Sequence, residues 1–338
     1  MNTKIAILVW VISLTIMALL IIIIGGLTRL TDSGLSMVNW RPLVGTIPPL
    51  SLQAWIDVFN DYKLTPEYQI VNLKMTLEEF KFIFWWEWFH RFFARLIGTV
   101  FIIPFFYFYC TNKLSKKLLI TLIIIFLFGV LQAIVGWWMV KSGLTDNPYV
   151  SAYRLAFHLA NALIIFSFLF WITLSLLYGE EKNNTISKLI INLFNLSLIL
   201  IFITIVSGSF MAGTDAGKSF NTFPLMNNKF IPEGYYLNEY GWKNIFENTI
   251  AINFNHRWLA IFTFLFISSI IFYLLVFKKN KYNNFSLILV LIILFLQICL
   301  GILTLIFEVS FSYAILHQTN AVFLLASMLF VYHRLKYK

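Results

Sequence analysis

The chain has 338 residues, of which 60% are hydrophobic, 18% aromatic and only 12% charged, with a formal net charge of +10. A water-soluble domain of this size has too little interior to hide so much apolar surface, so a soluble globular protein is excluded. The positive charge then reads as membrane topology and not as a nucleic-acid surface.

Eight apolar runs reach the roughly 20 residues that cross a hydrocarbon core. In chain order they cover 5–26, 84–109, 118–140, 153–178, 188–210, 249–277, 285–307 and 312–332. The first has a basic start, MNTK, but a long apolar stretch and no small-x-small cleavage site, so an uncleaved spanning helix is expected. The eighth is the least hydrophobic because it contains His317, Gln318, Thr319 and Asn320. Lysines cluster after the second, fourth and sixth runs (Lys113, Lys116, Lys117; Lys182, Lys188; Lys278, Lys279, Lys281), and Arg334, Lys336 and Lys338 form the tail. By the positive-inside rule both termini face the cytoplasm or matrix, and the long segments 27–83 and 211–248 lie outside. The expected class is an all-α integral membrane protein. Its two cysteines, Cys110 and Cys299, fall too far apart in this topology to pair.

The chain reads as a duplication. GGLTRLTDSGLS (25–36) ends the first run and GSFMAGTDAGKS (208–219) the fifth, matching Gly25, Thr31, Asp32, Gly34 and Ser36 to Gly208, Thr214, Asp215, Gly217 and Ser219 without a gap. Runs two and six share His-Arg, as His90-Arg91 and His256-Arg257. Runs three and seven share LQxxxG, with Gln132 and Gly136 against Gln297 and Gly301. Runs four and eight share HxxNA, with His158 and Asn161 against His317 and Asn320. Four matches in one order, each half with an even number of spans, imply a parallel repeat of two four-helix bundles, 1–178 and 188–338. The shared glycines predict close helix approach, and the TDxGxS segments predict turns in which Asp and Gly end a helix.

Four of the five histidines, His90, His158, His256 and His317, fall one each on runs two, four, six and eight, five to seven residues inside each start. The fifth, His333, sits in the basic tail, where a solvated position is expected. Two imidazoles per bundle at one depth suit the axial positions of haem iron, and bundle sites are built from facing helices. Arg91 and Arg257 follow a histidine directly, Arg95 lies one turn below Arg91, and Arg154 one turn above His158. Guanidinium groups there match the propionates of a haem, or else snorkel to headgroups. Glu87 stands three residues before His90 on the same helix face, while Asn253 takes the corresponding place before His256. A carboxyl beside one site only points to chemistry in the amino-terminal half; its alternative use is an ion pair with an arginine or a hydrogen bond to a histidine.

ExxHR, HxxNA, NHR, HQxNA and the GGLTRLTDSGLS segment together resemble haem A synthase over nearly the whole chain, in the branch without a loop cysteine pair. The resemblance implies oxidation of the C8 methyl of haem O to a formyl group, giving haem A for cytochrome oxidase. It implies His90 and His158 as ligands of the substrate haem, and His256 and His317 as ligands of a resident haem b. It also implies Glu87 beside the reacting edge, with Arg91, Arg95, Arg154 and Arg257 in propionate or supporting roles. Expected partners are haem O, the lipid bilayer, haem O synthase and an electron-transfer protein, with homo-oligomerisation left open and no nucleic acid. The Ile/Lys/Asn/Phe-rich composition favours a bacterial inner membrane over a mitochondrial one. Two rival classes follow from the residues alone. A dihaem cytochrome b carrier would place haems near both faces, whereas these four histidines share one. A transporter would pair Gly/Pro breaks in both halves, but Pro104 has no counterpart.

Overall fold

The computed structural model describes residues 2–39, 44–145, 147–277 and 284–337. Lys278, Lys279, Lys281 and Lys338 lie outside the described residues. Among the described residues eleven α-helices follow one another: α1 (Thr3–Leu30), α2 (Leu52–Lys63), α3 (Pro66–Ile70), α4 (Leu77–Cys110), α5 (Lys116–Gly143), α6 (Ala152–Tyr178), α7 (Lys188–Gly213), α8 (Asn244–Glu247), α9 (Thr249–Phe277), α10 (Asn284–Ile306) and α11 (Phe311–Lys336). Among the described residues eight, namely α1, α4, α5, α6, α7, α9, α10 and α11, are long and apolar enough to cross a membrane. They coincide with the eight apolar runs. Large side chains such as Ile103, Leu127, Phe272 and Phe295 remain exposed along them, which is stable only against lipid. Chain contacts divide the protein into two compact units, Met1–Phe166 and Ser167–Lys338, so α6 is shared between them. In the first unit α1 packs on α4; in the second α7 packs on α9 and α11, and α10 on α9 and α11.

The helix ends follow local chemistry. Ser115 and Ser187 cap α5 and α7 by accepting from Leu118 N and Ile190 N. Asp32 and Asp215 both adopt left-handed φ, 47° and 52°, just past the ends of α1 and α7. The aspartates, not the glycines, therefore make the turn, a conformation Asp tolerates through its short polar side chain. Thr31 and Thr214 reinforce it, their hydroxyls donating to Leu27 O and Phe210 O.

Helix α4 starts seven residues before the apolar run at 84 (84 minus 77). Thr76 and Glu79 form a capping box that opens the helix early, because Glu79 accepts from Thr76 N (2.7 Å) while Thr76 Oγ1 accepts from Glu79 N (3.3 Å). The added turns carry Phe80 and Ile83, which together with Phe84 at the start of the run pack with Phe59 and Tyr62 of α2 into an apolar cluster. Phe59 stacks on Phe80 at 4.9 Å and Trp55 meets Phe84 edge-on at 5.0 Å. Such pairs add about 0.5–1.5 kcal/mol each beyond their buried area.

Beneath this cluster Tyr62 Oη donates to Glu67 Oε2 at 2.9 Å and accepts from Asn72 Nδ2 at 2.8 Å. Burial is the main cause that pushes the Glu67 carboxyl up to about 7; Glu87 and Asp32 add to it, while the Tyr62 hydrogen bond and Arg29 oppose it. Burial, then Glu67 itself, pushes the Tyr62 phenol upward as well. The folded state thus holds the Glu67 proton more tightly than the unfolded chain, so this cap is most stable when protonated. It is expected to lose on the order of 3 kcal/mol as pH rises from about 5 through about 7. Amide exchange over 62–72 should accelerate across that window beyond the intrinsic base-catalysed rate. Glu67→Gln should flatten the dependence, and an equally steep one in that variant would refute the assignment.

At the other end, His333 is not solvated. It is fully buried, 4.9 Å from the Trp171 ring and 5.0 Å from Tyr337, with Nε2 3.3 Å from Ser175 Oγ. The connection after α6 pairs with the end of α11, where Asn183 N donates to Lys336 O and Lys182 bridges Tyr337, the residue whose ring flanks the imidazole.

Candidate functional site

Each of the other four histidines rests its ring edge on a glycine of a preceding helix. A Cβ added to Gly25 of α1 would lie 3.2 Å from His90 Cε1 of α4, and one on Gly136 of α5 would lie 3.0 Å from His158 Cε1 of α6. In the second unit Gly208 of α7 faces His256 of α9 at 3.2 Å, and Gly301 of α10 faces His317 of α11 at 2.8 Å. The glycines shared between the halves are thus the room for four imidazoles, an extension of the close helix approach read from them. His158, His256 and His317 are the seventh, eighth and seventh residues of their helices, counting from Ala152, Thr249 and Phe311. His90 is the fourteenth of α4, because that helix begins outside the span.

His90 and His158 both fall in the first unit, and His256 and His317 in the second. Among the described residues no three His, Cys, Asp or Glu side chains converge, so neither imidazole pair has a third ligand of those types beside it. His90 and His158 each have a buried Nδ1 with no hydrogen-bond partner. An orphaned nitrogen inside a span is costly, about 1–3 kcal/mol, unless a ligand meets the ring. Two nitrogen donors above a side-chain-free ledge fit the axial positions of a haem better than a small tetrahedral metal.

The repeated glutamines and asparagines hold the rings from behind. Asn161 Nδ2 donates to Gln132 Oε1 (2.6 Å) and Phe128 O (3.0 Å), which sets the Gln132 amide against His158 Nε2 (3.3 Å) and His158 O (3.2 Å). Asn320 Nδ2 likewise donates to Gln297 Oε1 (2.8 Å) and Ile293 O (3.0 Å), and Gln297 Nε2 lies 3.2 Å from His317 Nδ1. A repeated Gln–Asn couple therefore braces one histidine in each unit, reaching Nε2 of His158 but Nδ1 and, at 3.4 Å, Nε2 of His317. Sequence comparison of the halves found these residues but gave them no role.

Glu87 is buried and accepts from every group around it: Ser36 Oγ and Met37 N at 2.7 Å each on Oε2, and Arg91 Nη2 on Oε1. Arg91 also donates to Met37 O at 3.2 Å. Asn253, its counterpart, accepts from Arg257 Nε at 2.6 Å and donates to Ala216 O at 2.7 Å. Both side chains tie the segment after a repeated helix to the histidine-bearing helix. The residue types differ because one segment offers donors, Ser36 Oγ–H and Met37 N–H, and the other a carbonyl. A carboxylate, which only accepts, suits the first; an amide suits the second.

The arginines are largely spent on protein oxygens. Arg257 uses Nε on Asn253, Nη1 on Thr222 O (2.7 Å) and Nη2 on Phe220 O, leaving two of its five N–H groups. Arg95 Nη1 reaches Gly45 O at 3.5 Å. Arg154 donates to Trp138 O at 2.6 Å and stacks 4.4 Å from the Trp138 ring, beside Lys141, which lies over Trp137. One residue had escaped sequence reading: Ser207, whose Oγ lies 2.7 Å from His256 Nδ1. Its place directly before Gly208, against Ile24 before Gly25, was the available signal.

The family model for "Cytochrome oxidase assembly protein" matches residues 8–329. "Heme A synthase" of Nitrosospira multiformis is 43% identical over 333 residues, covering 97% of this chain and 93% of that protein. The protein of the same name from Wolbachia pipientis wMel is 41% identical over 325 residues (95% and 90%), and that from Flavobacterium johnsoniae 38% over 341 residues (98% of each).

Proposed function

The chain belongs to the cytochrome oxidase assembly protein family, and from that premise we propose that it is a haem A synthase, oxidising the C8 methyl of haem O to the formyl of haem A. The observation that carries this reading is the pair of glycine-seated imidazoles in each unit, braced by the same Gln–Asn couple. His90 and His158 hold the iron of the substrate haem O in the amino-terminal bundle, 1–178. His256 and His317 hold a resident haem b in the carboxy-terminal bundle, 188–338. The resident haem b, when bound, supplies one-electron transfer.

The remaining work falls to this chain's own side chains. The paired imidazoles would fix the substrate ring so that one methyl edge is presented for oxidation to the formyl level, a loss of four electrons and four protons in which water supplies the oxygen and an external electron-transfer partner takes up the electrons. Glu87, three residues before His90, takes a proton or offsets positive charge at that edge. Its three hydrogen-bond donors favour a second use, as the clamp that keeps the Ser36–Met37 segment closed over α4. Arg91 and Arg257 have N–H groups left for propionates after their protein contacts, and Arg95 and Arg154 lie near enough in sequence to assist. The lysines between the spans support a topology with both termini cytoplasmic and the histidine ends of the helices toward the outer face, in what we read as a bacterial inner membrane.

Extraction of the purified protein's pigments with mass identification tests this reading. Haem b together with haem O, a hydroxylated haem O or haem A is expected. Haem b alone would favour a simple electron carrier, and a pale protein would favour a transporter; either overturns the proposal.

A further inference from the structure

The two units differ at Nδ1 of the first imidazole, His90 in one and His256 in the other. In the second unit Ser207 Oγ lies 2.7 Å from His256 Nδ1 and also donates to Thr204 O at 2.8 Å. A carbonyl can only accept, so the single hydroxyl proton belongs to the Thr204 contact, and the His256 contact requires Nδ1–H as donor. That leaves the Nε2 lone pair of His256 for iron. Thr204 is itself pinned, its hydroxyl donating to Leu200 O and meeting Thr263 Oγ1 at 3.0 Å. In the first unit the gapless repeat puts buried Ile24 where Ser207 stands, and His90 Nδ1, beside Gly25, has no partner among the described residues.

We infer that Ser207 is the positioning residue that makes His256 a fixed ligand of the resident haem, and that Ile24 in its place leaves His90 an exchangeable ligand, as a haem that enters and leaves as substrate requires. The inference rests on the half assignment proposed above. Its physical basis is that a ligating histidine whose rear N–H is bonded is held in orientation and donates more strongly to the metal, whereas an unsupported ring pays to orient. One hydroxyl behind the first imidazole thereby distinguishes a cofactor ligand from a substrate ligand.

The test uses the full chain, purified with its pigments, and two measurements: haem transfer to excess apomyoglobin, with mass identification of each porphyrin, and a spectroelectrochemical titration. Ser207→Ala should speed release of haem b about 10–100-fold and shift its midpoint potential upward, since a weaker imidazole donor stabilises ferric iron less. Ser207→Thr, which keeps the hydroxyl, should restore both. Ile24→Ser should slow release of the substrate-side haem. Wild-type release and potential in Ser207→Ala would overturn the inference while leaving the haem A synthase reading intact. If Ser207→Ala fails to assemble, unchanged substrate-side release in Ile24→Ser overturns it instead. Wild-type protein without haem would sink the underlying reading before any variant is made.

Discussion

His256→Ala is expected to remove the haem b spectrum from the purified protein while substrate haem still enters the amino-terminal unit, and His90→Ala to do the converse. Both should abolish haem A formation. Among the described residues no further His, Cys, Asp or Glu joins either pair, so none of these is at hand to replace a lost ligand. Losing an outer partner of a metal ligand typically costs 10–100-fold in affinity; losing the ligand itself should exceed about 100-fold. The helices themselves should persist, because each ring's contacts with the protein are few. His90 touches the Gly25 ledge and leaves a buried nitrogen unpaired, and His256 adds only the Ser207 bond. Optical difference spectra and pigment mass, read for each variant, separate the two halves. If His256→Ala kept both pigments, the assignment of the resident haem to the second unit would be wrong.

How much of this was legible beforehand depended on whether the partners in an interaction recur in the chain. The eight spans were legible because lipid imposes length and apolarity on one continuous segment. The early start of α4 was not. Thr76–Glu79 and the α2 cluster lie in a segment whose hydropathy says nothing about spanning. Gln132 with Asn161 and Gln297 with Asn320 stood out because both members of each couple appear twice in the same order, although only the coordinates show that they touch. His333 was misplaced because its neighbours in sequence are basic, whereas its neighbours in space, Trp171 and Ser175, come from a distant helix. The contrast between Glu87 and Asn253 was visible, but its structural meaning was not. Whether a loop offers N–H or C=O to a helix is decided by backbone geometry.

Glu87→Gln is the substitution that separates the two uses of that carboxylate, and it is expected to leave haem binding in place while haem A formation falls about 10²–10⁴-fold. Glu87→Ala is less informative. It would strand the largely buried guanidinium of Arg91, whose side chain is 15% exposed, at a cost of about 3–5 kcal/mol, so a loss of activity could reflect a loosened Ser36–Met37 segment alone. Glutamine keeps the shape and one acceptor. The charge is lost in both variants, but an amide oxygen turned to Arg91 keeps its hydrogen bond and the amide NH2 can donate to Ser36 Oγ, so the Met37 N–H alone goes unmet at about 1–3 kcal/mol. If the carboxylate serves only as the clamp, Glu87→Gln should turn over substrate at nearly the wild-type rate per bound haem O. If it exchanges a proton with the reacting edge or steadies charge there, the amide cannot replace it, and substrate accumulates unoxidised in a correctly loaded protein. Single-turnover yield of haem A per bound haem O, read by mass, distinguishes these outcomes. Near-normal yield from Glu87→Gln would end the case for chemistry at this residue and leave it with the loop-holding role that Asn253 has in the other half.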